Sequence, residues 1–159
     1  MLRLDRVDLV PRGEYYHLLG GYSIKLTSTL EEALRKGVVL TFVQIFETDR
    51  PRDFWFSEDI AVVRRSLRIS FNALLRQYQL QHGGGFETFD SAPEALAALG
   101  NFADWPVIER KLLNKKYLHH ARVRMFLDTS QLPKPLQLNA FASDRWDMDS
   151  GWREWTYKP

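Results

Sequence analysis

The sequence predicts a mainly β protein, an antiparallel β-sandwich in the immunoglobulin-like style that carries two or three short helices. Three observations lead to this class. Six to eight segments are predicted to be strands, and several of them alternate apolar and polar residues with a period of two, as strands with one buried face do. Turn residues such as Pro11-Arg12-Gly13 separate several of these segments. Helical signals are confined to short stretches, so two packed antiparallel sheets are the simplest arrangement.

The first two predicted strands follow one another directly. Residues 2–10 alternate, with one change of phase between Leu4 and Val7 of the kind that a β-bulge causes. From residue 16 to residue 26 the even positions are apolar or small, which predicts a longer strand with one buried face. A Gly20-Gly21 pair in its middle indicates a bend or the close approach of another backbone.

A short helix and a central strand are predicted next. Ser28 and Thr29 each precede a glutamate by three residues, which is the spacing of a capping box, and Gly37 stands where a helix-terminating glycine belongs. The run 38–46 is apolar at odd and even positions and rich in β-branched residues. It therefore predicts a central strand that is covered on both faces.

A set of strands is predicted between residues 63 and 89. Over residues 63–71 the odd positions are apolar except for Arg65, and the even positions are polar, so one face of this strand is expected to be buried. Residues 75–81 are expected to pair back across a hairpin. The flexible turn His82-Gly83-Gly84-Gly85 then leads into a short strand over residues 86–89.

The last third of the chain is predicted to contain two further helices and one clear strand. Ser91 is expected to cap the second helix, and Asp104-Trp105-Pro106 to begin a third that reaches about Leu113. Residues 117–127 alternate and predict a strand whose polar face carries histidine and arginine. Residues 132–136 include two prolines and are predicted to lack regular structure.

Composition bounds the possible functions. The chain of 159 residues is expected to form one domain, residues 1–159, and its 22 Lys and Arg against 20 Asp and Glu leave a formal charge of only +2. The basic residues are spread along the chain, so no nucleic-acid partner is predicted. The absence of cysteine excludes disulfides, thiolate nucleophiles and cysteine-based zinc sites. No apolar run is long enough to span a membrane, and the first residues lack the apolar region of a signal peptide.

The sequence offers no recognisable catalytic or metal-binding constellation. His119 and His120 are adjacent, so on a strand they point to opposite faces and cannot chelate one ion together. No Gly-x-Ser-x-Gly motif is present, and the three glycines after His82 lack the lysine of a phosphate-binding loop. The acidic segment from Asp144 to Asp149 could bind calcium, although it lacks the EF-hand spacing, and turn residues explain it more simply. We therefore assign no catalytic residue, metal or cofactor.

Aromatic and arginine residues in the middle of the chain are the strongest binding signal. Phe54-Trp55-Phe56 places three aromatics in succession, which on an extended chain cannot all face one core. Exposed aromatics near arginine are typical of recognition hot spots. The predicted partner-binding residues are Arg50, Arg52, Phe54, Trp55, Phe56, Arg64 and Arg68. The alternative is that these arginines form a solvated sheet face while Trp55 fills the edge of the sandwich.

Several motifs in order resemble a known bacterial family. They are Arg50-Pro51-Arg52 with Trp55, then Leu75 and Tyr78; Phe89 with Ala92, Ala95-Leu96 and Leu99-Gly100; Leu127-Asp128 with Leu132-Pro133 and Pro135-Leu136; and Ser150-Gly151-Trp152 with Trp155 and Lys158-Pro159. Over about Leu2 to Pro159 the chain resembles the bacterial domain-of-unknown-function family 4390. The resemblance implies an exported or envelope-associated protein, often encoded beside a sensor histidine kinase of the nitrogen-regulation type. It implies no catalytic or cofactor residue, and the signal segment typical of members is missing here.

The leading hypothesis is a non-enzymatic protein-interaction module of the periplasm or cell envelope, with a sensor-kinase ectodomain as candidate partner. One alternative is a β-sandwich that binds a small ligand or lipid in a cavity between its sheets. Another is a hydrolase with an unrecognised acidic site around Asp144 to Asp149. An exposed aromatic patch would favour the first hypothesis, an enclosed apolar cavity the second, and convergent acidic residues in a cleft the third.

Overall fold

The structure is a computed structural model that describes residues 1–51 and 57–159, with side chains described throughout these ranges except at residues 57–59. The described residues contain nine strands and three α-helices. The strands are β1 (Leu2–Arg12), β2 (Tyr15–Ile24), β3 (Leu40–Pro51), β4 (Ser57–Asn72), β5 (Gln77–His82), β6 (Gly85–Phe89), β7 (Asn101–Glu109), β8 (His119–Leu127) and β9 (Arg153–Tyr157). The helices are α1 (Ser28–Arg35), α2 (Ala92–Gly100) and α3 (Lys134–Ala142).

The strands form two antiparallel sheets of unequal size. The smaller sheet has the order β1-β2-β7, and the larger sheet has the order β6-β5-β4-β3-β8-β9. Every pairing between the described strands is antiparallel. The mainly β class, the packed antiparallel sheets and the short helices are therefore confirmed. These strand orders do not confirm the immunoglobulin-like style.

One hydrophobic core lies between the two sheets. The central strand β3 contributes Phe42 and Phe46, and β2 of the smaller sheet contributes Leu18, all of them completely buried. Helices α1 and α2 pack against the same core through residues such as Leu34 and Leu99. Both helices and the smaller sheet therefore lie on one side of the larger sheet. This arrangement determines which face of the larger sheet is free for function.

The close backbone approach predicted for the glycine pair is found at Gly20. The pairing of β1 with β2 shifts register between Leu4 and Arg6, which confirms the bulge predicted from the phase change. A Cβ atom on Gly20 would overlap the carbonyl oxygen of Arg6 and would lie 2.6 Å from Cζ of Phe102. The missing side chain thus allows the three strands of the smaller sheet to pack closely at this point.

Helix α1 begins one residue earlier than a cap at Ser28 predicts and two residues earlier than a cap at Thr29 predicts. Thr27 is the N-cap, since its hydroxyl accepts a hydrogen bond from the backbone N–H of Leu30 at 3.2 Å. The same hydroxyl donates to the carbonyl oxygen of Arg145 at 2.8 Å, a tertiary contact that the local sequence does not indicate. Two other helix predictions are confirmed: Gly37, which follows the C-cap residue Lys36 of α1, has a φ of 93°, and Ser91 is the N-cap of α2.

Two predictions for the last third of the chain are wrong. The helix expected from Asp104 to about Leu113 is mostly strand β7, in which Trp105 pairs with Leu18 of β2. Pro106 is compatible with that strand because β7 is an edge of the smaller sheet. The region expected to lack regular structure contains the start of α3, where Pro135 occupies the first turn. Among the described residues, no helix has the length and apolar content needed to cross a bilayer.

Candidate interaction surface

The seven residues predicted to bind a partner fall in three places. Four of them lie outside the described residues, so their role stays a prediction: Arg52, Phe54, Trp55 and Phe56. Arg50 is near the end of β3, half-buried, with its guanidinium carbon 4.8 Å from the ring centroid of Tyr117. Arg64 and Arg68 are exposed on β4. The structure therefore brings Arg64 and Arg68 onto one surface.

That surface is the outer face of the larger sheet, by which we mean the face that points away from the core. Alternation along β4 places Arg64 and Arg68 on this face, while Leu67 and Ile69 point into the core. The register places Arg64 beside Ile45 of the central strand. The predicted separation of the two faces of residues 63–71 is thus confirmed.

The part of the outer face formed by β8 and β9 carries arginines that are already paired. Arg122 donates to the carboxylate of Glu47, with an Nη2–Oε2 distance of 2.5 Å, and its guanidinium carbon lies 4.0 Å from the ring centroid of Trp152. Arg124 makes a bidentate pair with Asp149, at 2.9 Å from Nε and 2.5 Å from Nη2. Planar guanidinium groups suit both kinds of contact.

The pairing with Arg124 also sets the ionisation of Asp149. The hydrogen bonds from Arg124 hold the pKa of the Asp149 carboxyl below its usual value, and burial opposes this effect. The backbone N–H of Gly151 donates a further hydrogen bond to Asp149 at 2.9 Å. One carboxylate of the acidic segment that could have formed a calcium or hydrolase site is therefore engaged in a structural ion pair.

An open groove of about 400 Å³ lies at one end of this part of the outer face. It is lined by polar residues that include Glu47, Asp49, His120, Arg122 and Glu154. Nδ1 of His120 is 3.8 Å from the carboxylate of Asp49, a distance suited to a weak ion pair when the imidazole is charged. Acidic and basic groups are therefore mixed here, and the groove has no single sign of charge.

We call the part of the outer face formed by β4, β5 and β6 the arginine half. Unlike the part formed by β8 and β9, it carries arginines that are not paired with acidic groups among the described residues. Within the described part of the chain, Arg64 and Arg68 form no ion pair and no side-chain hydrogen bond. Val62 and Phe86 expose most of their side chains beside them. A groove of about 290 Å³ is lined by Val39, Arg68, Ser70, Gln79, Gln81 and Phe86. The arginine half therefore combines two available cations with exposed apolar groups.

Arg65 is the polar exception that the alternation predicted, and it points inward. Its Nε donates to the side-chain oxygen of the fully buried Gln44 at 2.9 Å, and its guanidinium carbon lies 4.5 Å from the ring centroid of Trp105. Burial lowers the pKa of Arg65 to about 10 and raises the pKa of the nearby Tyr22 to about 12. Because Trp105 belongs to the smaller sheet, Arg65 connects the two sheets through the core.

The histidines do not form a metal site in the described part of the chain. His119 is fully buried, where its Nδ1 lies 3.0 Å from the carbonyl oxygen of Tyr117 and its Nε2 accepts from the backbone N–H of Asn114 at 3.4 Å. His120 points to the opposite face, as expected for adjacent residues of a strand. No group of three or more histidine, aspartate or glutamate side chains converges among the described residues.

Comparison with known proteins gives the family of the chain. A family model described as Domain of unknown function (DUF4390) matches residues 1–156. The chain belongs to DUF4390. The family predicted from the order of the sequence motifs is thereby confirmed. No curated protein and no solved structure matches the chain. The outer face of this DUF4390 domain must therefore be interpreted from its own chemistry.

Sequence reasoning missed part of the outer face of the DUF4390 domain. The sequence predicts Arg122 and Arg124 on the polar face of a strand, but the pairing of Arg122 with Glu47 of β3 and of Arg124 with Asp149 depends on sheet register and tertiary contact. The sequence does not indicate which face Trp152 takes, and the structure places it against Arg122 on the outer face. Phe86 was assigned to a short strand without a surface role. The alternation of residues 117–127 was the signal that could have indicated the arginines.

Proposed function

We propose that this chain is a non-enzymatic protein-interaction module of the cell envelope, and that it binds an acidic segment of a protein partner through the arginine half of its outer face. The observation that carries the proposal is the exposure of Arg64 and Arg68 without an anionic partner among the described residues. The family resemblance supports the envelope location and makes a sensor-kinase ectodomain the first partner to test.

The spacing of the two arginines defines what the partner must offer. Arg64 and Arg68 are four residues apart on one strand, so their Cα atoms are about 13 Å apart. This distance exceeds the screening length of about 8 Å in physiological salt, so the two charges act nearly independently. The partner therefore needs two carboxylates with a similar spacing, such as two acidic residues four positions apart on an extended segment. Exposed Phe86 and Val62 supply apolar contact around the ion pairs.

Two features of the structure favour this function over the ligand-carrier and hydrolase alternatives. The space between the sheets is filled by large, fully buried side chains, including Phe42, Phe46 and Met125. A carrier would instead hold its ligand in an apolar cavity of roughly 300 Å³ or more. Asp149 of the acidic segment is bound by Arg124, which removes one candidate acid from a hydrolytic site.

The proposal is tested with a double charge reversal and a matched control. Arg64→Glu/Arg68→Glu removes both cations of the arginine half, while Arg35→Glu/Arg145→Glu makes the same change of charge at exposed arginines of α1 and of the segment after α3. Partners captured from cell envelopes are identified, purified and titrated against each protein by calorimetry. We expect the first variant to bind at least about 100-fold more weakly, as for two hot-spot arginines, and the control to bind like the wild type.

The measurement can also contradict the proposal. Equal loss of affinity in both variants would show that overall charge, and not the arginine half, determines binding. An unchanged affinity of Arg64→Glu/Arg68→Glu for a purified partner would place the interface elsewhere. Circular dichroism and thermal unfolding of each variant establish that the fold is retained.

A further inference from the structure

The connection between β7 and β8, residues 110–118, is a second surface with a distinct composition. We call it the basic loop. It contains Arg110, Lys111, Lys115 and Lys116 and no acidic residue. It joins the smaller sheet to the larger one, so it crosses one end of the sandwich. The turn between β1 and β2 lies at the same end, since the backbone N–H of Arg110 donates to the carbonyl oxygen of Glu14 at 2.8 Å.

The basic loop is held in place by one buried side chain and by hydrogen bonds within the loop and to His119. Leu113 is buried, and the backbone N–H of Tyr117 donates to the carbonyl oxygen of Asn114 at 3.1 Å, which closes a turn at the tip. The side-chain oxygen of Asn114 accepts from the backbone N–H of Lys116 at 3.0 Å. Buried His119 receives the backbone N–H of Asn114. The loop is therefore anchored at its centre and its end, and its other side chains project from a defined frame.

Large apolar side chains project from this frame toward solvent. Leu112 is 54% exposed, Tyr117 51% and Leu118 60%. Three exposed apolar residues within one short loop are unusual for a surface that contacts only water. A groove of about 370 Å³ beside them is bordered by Leu112, Lys111 and Lys115. Apolar and cationic groups thus both border one opening.

The cations of the basic loop are only partly neutralised. Lys111 pairs with Glu109 at 3.0 Å, and Arg110 donates to the carbonyl oxygen of Gly13 at 3.1 Å. Lys115 and Lys116 form no ion pair with any part of the chain that the structure describes. Even if both bordering glutamates, Glu14 and Glu109, are counted against the four cations, the charge is 4 − 2 = +2.

We infer that the basic loop binds the headgroup region of an anionic phospholipid bilayer. Lysines on flexible stems can reach phosphate groups while their methylene chains and the leucines enter the interface. Tyrosine is enriched at this depth of a bilayer because one end of its ring is apolar and the other polar. Lysine is depleted at protein–protein interfaces and arginine is enriched. The lysine-rich composition of the loop therefore fits a lipid surface better than it fits a folded protein partner.

The inference is tested by co-sedimentation with vesicles. Wild-type protein is mixed with vesicles of phosphatidylcholine alone or with about one third phosphatidylglycerol. The negative surface potential of the anionic vesicles raises the partition coefficient about fivefold for each lysine near the surface. Lys115→Glu/Lys116→Glu should therefore lower the partition coefficient on the anionic vesicles at least about 30-fold. Leu112→Ser/Leu118→Ser should lower it about tenfold, because two partly exposed leucines no longer enter the interface. Neutral vesicles should bind the wild type only weakly.

Matched controls make these losses specific. Lys25→Glu/Lys134→Glu reverses two exposed lysines elsewhere, and Leu138→Ser/Phe141→Ser removes two exposed apolar side chains of α3. Both should bind anionic vesicles like the wild type. The chain has no cysteine, so Leu118→Cys provides a unique site for an environment-sensitive fluorophore. Its emission should shift to the blue on anionic vesicles, whereas the same label at Leu138→Cys should not change.

Several outcomes would overturn the inference. No binding of the wild type to anionic vesicles would refute it directly. A loss caused by the lysine variant but not by the leucine variant, together with equal competition by soluble polyphosphate, would show binding of polyanions without insertion into a bilayer. Equal losses in the control variants would show that the net charge of the whole chain is responsible. Saturable binding of a purified acidic protein through Lys115 and Lys116 in place of vesicles would show a protein surface.

Discussion

The close packing at Gly20 predicts a large difference between two neighbouring glycines. Alanine at position 20 places a Cβ atom against the carbonyl oxygen of Arg6 and 2.6 Å and 2.9 Å from two ring carbons of Phe102. Alanine at position 21 meets only the end of the flexible Arg6 side chain, at 3.8 Å. Neither glycine has a positive φ, so backbone conformation does not distinguish the two substitutions.

The magnitude follows from what must move. The carbonyl oxygen of Arg6 belongs to the bulge that pairs β1 with β2, so it cannot rotate away as a side chain would. Overpacking in such rigid surroundings costs about 1–3 kcal/mol, and a backbone overlap belongs at the upper end of this range. For a chain of this length, about 3 kcal/mol lowers Tm by about 6–12 °C. Gly21→Ala should be neutral or up to about 1 kcal/mol more stable, since alanine restricts the unfolded chain.

Thermal and urea unfolding of Gly20→Ala, Gly21→Ala and the wild type, followed by circular dichroism, measure this difference. If Gly20→Ala unfolds at the same temperature as the wild type, the close approach of β1, β2 and β7 at Gly20 is wrong. If both lose stability equally, the effect belongs to the strand as a whole and not to contact with Arg6 and Phe102.

Two further predictions concern polar groups in the core. Burial raises the pKa of Tyr22 from 10.0 to about 12. Between these pH values the folded chain therefore keeps the Tyr22 proton while the unfolded chain loses it. The contribution of Tyr22 to the free energy of unfolding is complete below pH 10 and is lost as the pH rises to about 12. Wild type should lose about 2–3 kcal/mol more stability than Tyr22→Phe across this interval, measured by urea unfolding on both sides of it. Arg65→Met should cost about 1–3 kcal/mol, since it leaves the buried Gln44 oxygen without a donor, and Gln44→Leu/Arg65→Met should recover most of the loss. A double variant as unstable as Arg65→Met would contradict this reasoning.

Much of the larger sheet could be predicted because its strands carry their own periodicity. The run 38–46 is apolar at odd and even positions, and residues 40–46 of it form the first part of the central strand β3. Residues 63–71 alternate, and β4 presents Arg64 and Arg68 on one face and Leu67 and Ile69 on the other. Each of these properties depends on side chains only a few positions apart. A single sequence contains that information directly.

Properties that depend on distant segments could not be predicted. Residues 104–106 have the composition of a helix start, but pairing with β2, more than 80 residues earlier in the chain, makes them part of a strand. Thr27, which caps α1, also donates a hydrogen bond from its hydroxyl to the backbone carbonyl oxygen of Arg145. Arg65 was visible as an exception to the alternation, yet its inward role requires Trp105 from the other sheet. In each instance a tertiary contact overrides the local preference.

The two proposed surfaces differ in the identity of their cations, and this difference separates their functions. Arg64 and Arg68 present planar forks beside Phe86 and Val62, a combination that suits the two carboxylates of the proposed acidic segment. Lys115 and Lys116 present compact charges on flexible stems, which suit a fluid surface where phosphate groups have no fixed geometry. The net charge of +2 does not indicate either surface, since acidic groups elsewhere in the chain offset most of the positive charge. The distribution of cation types over the fold is therefore more informative about function than the net charge.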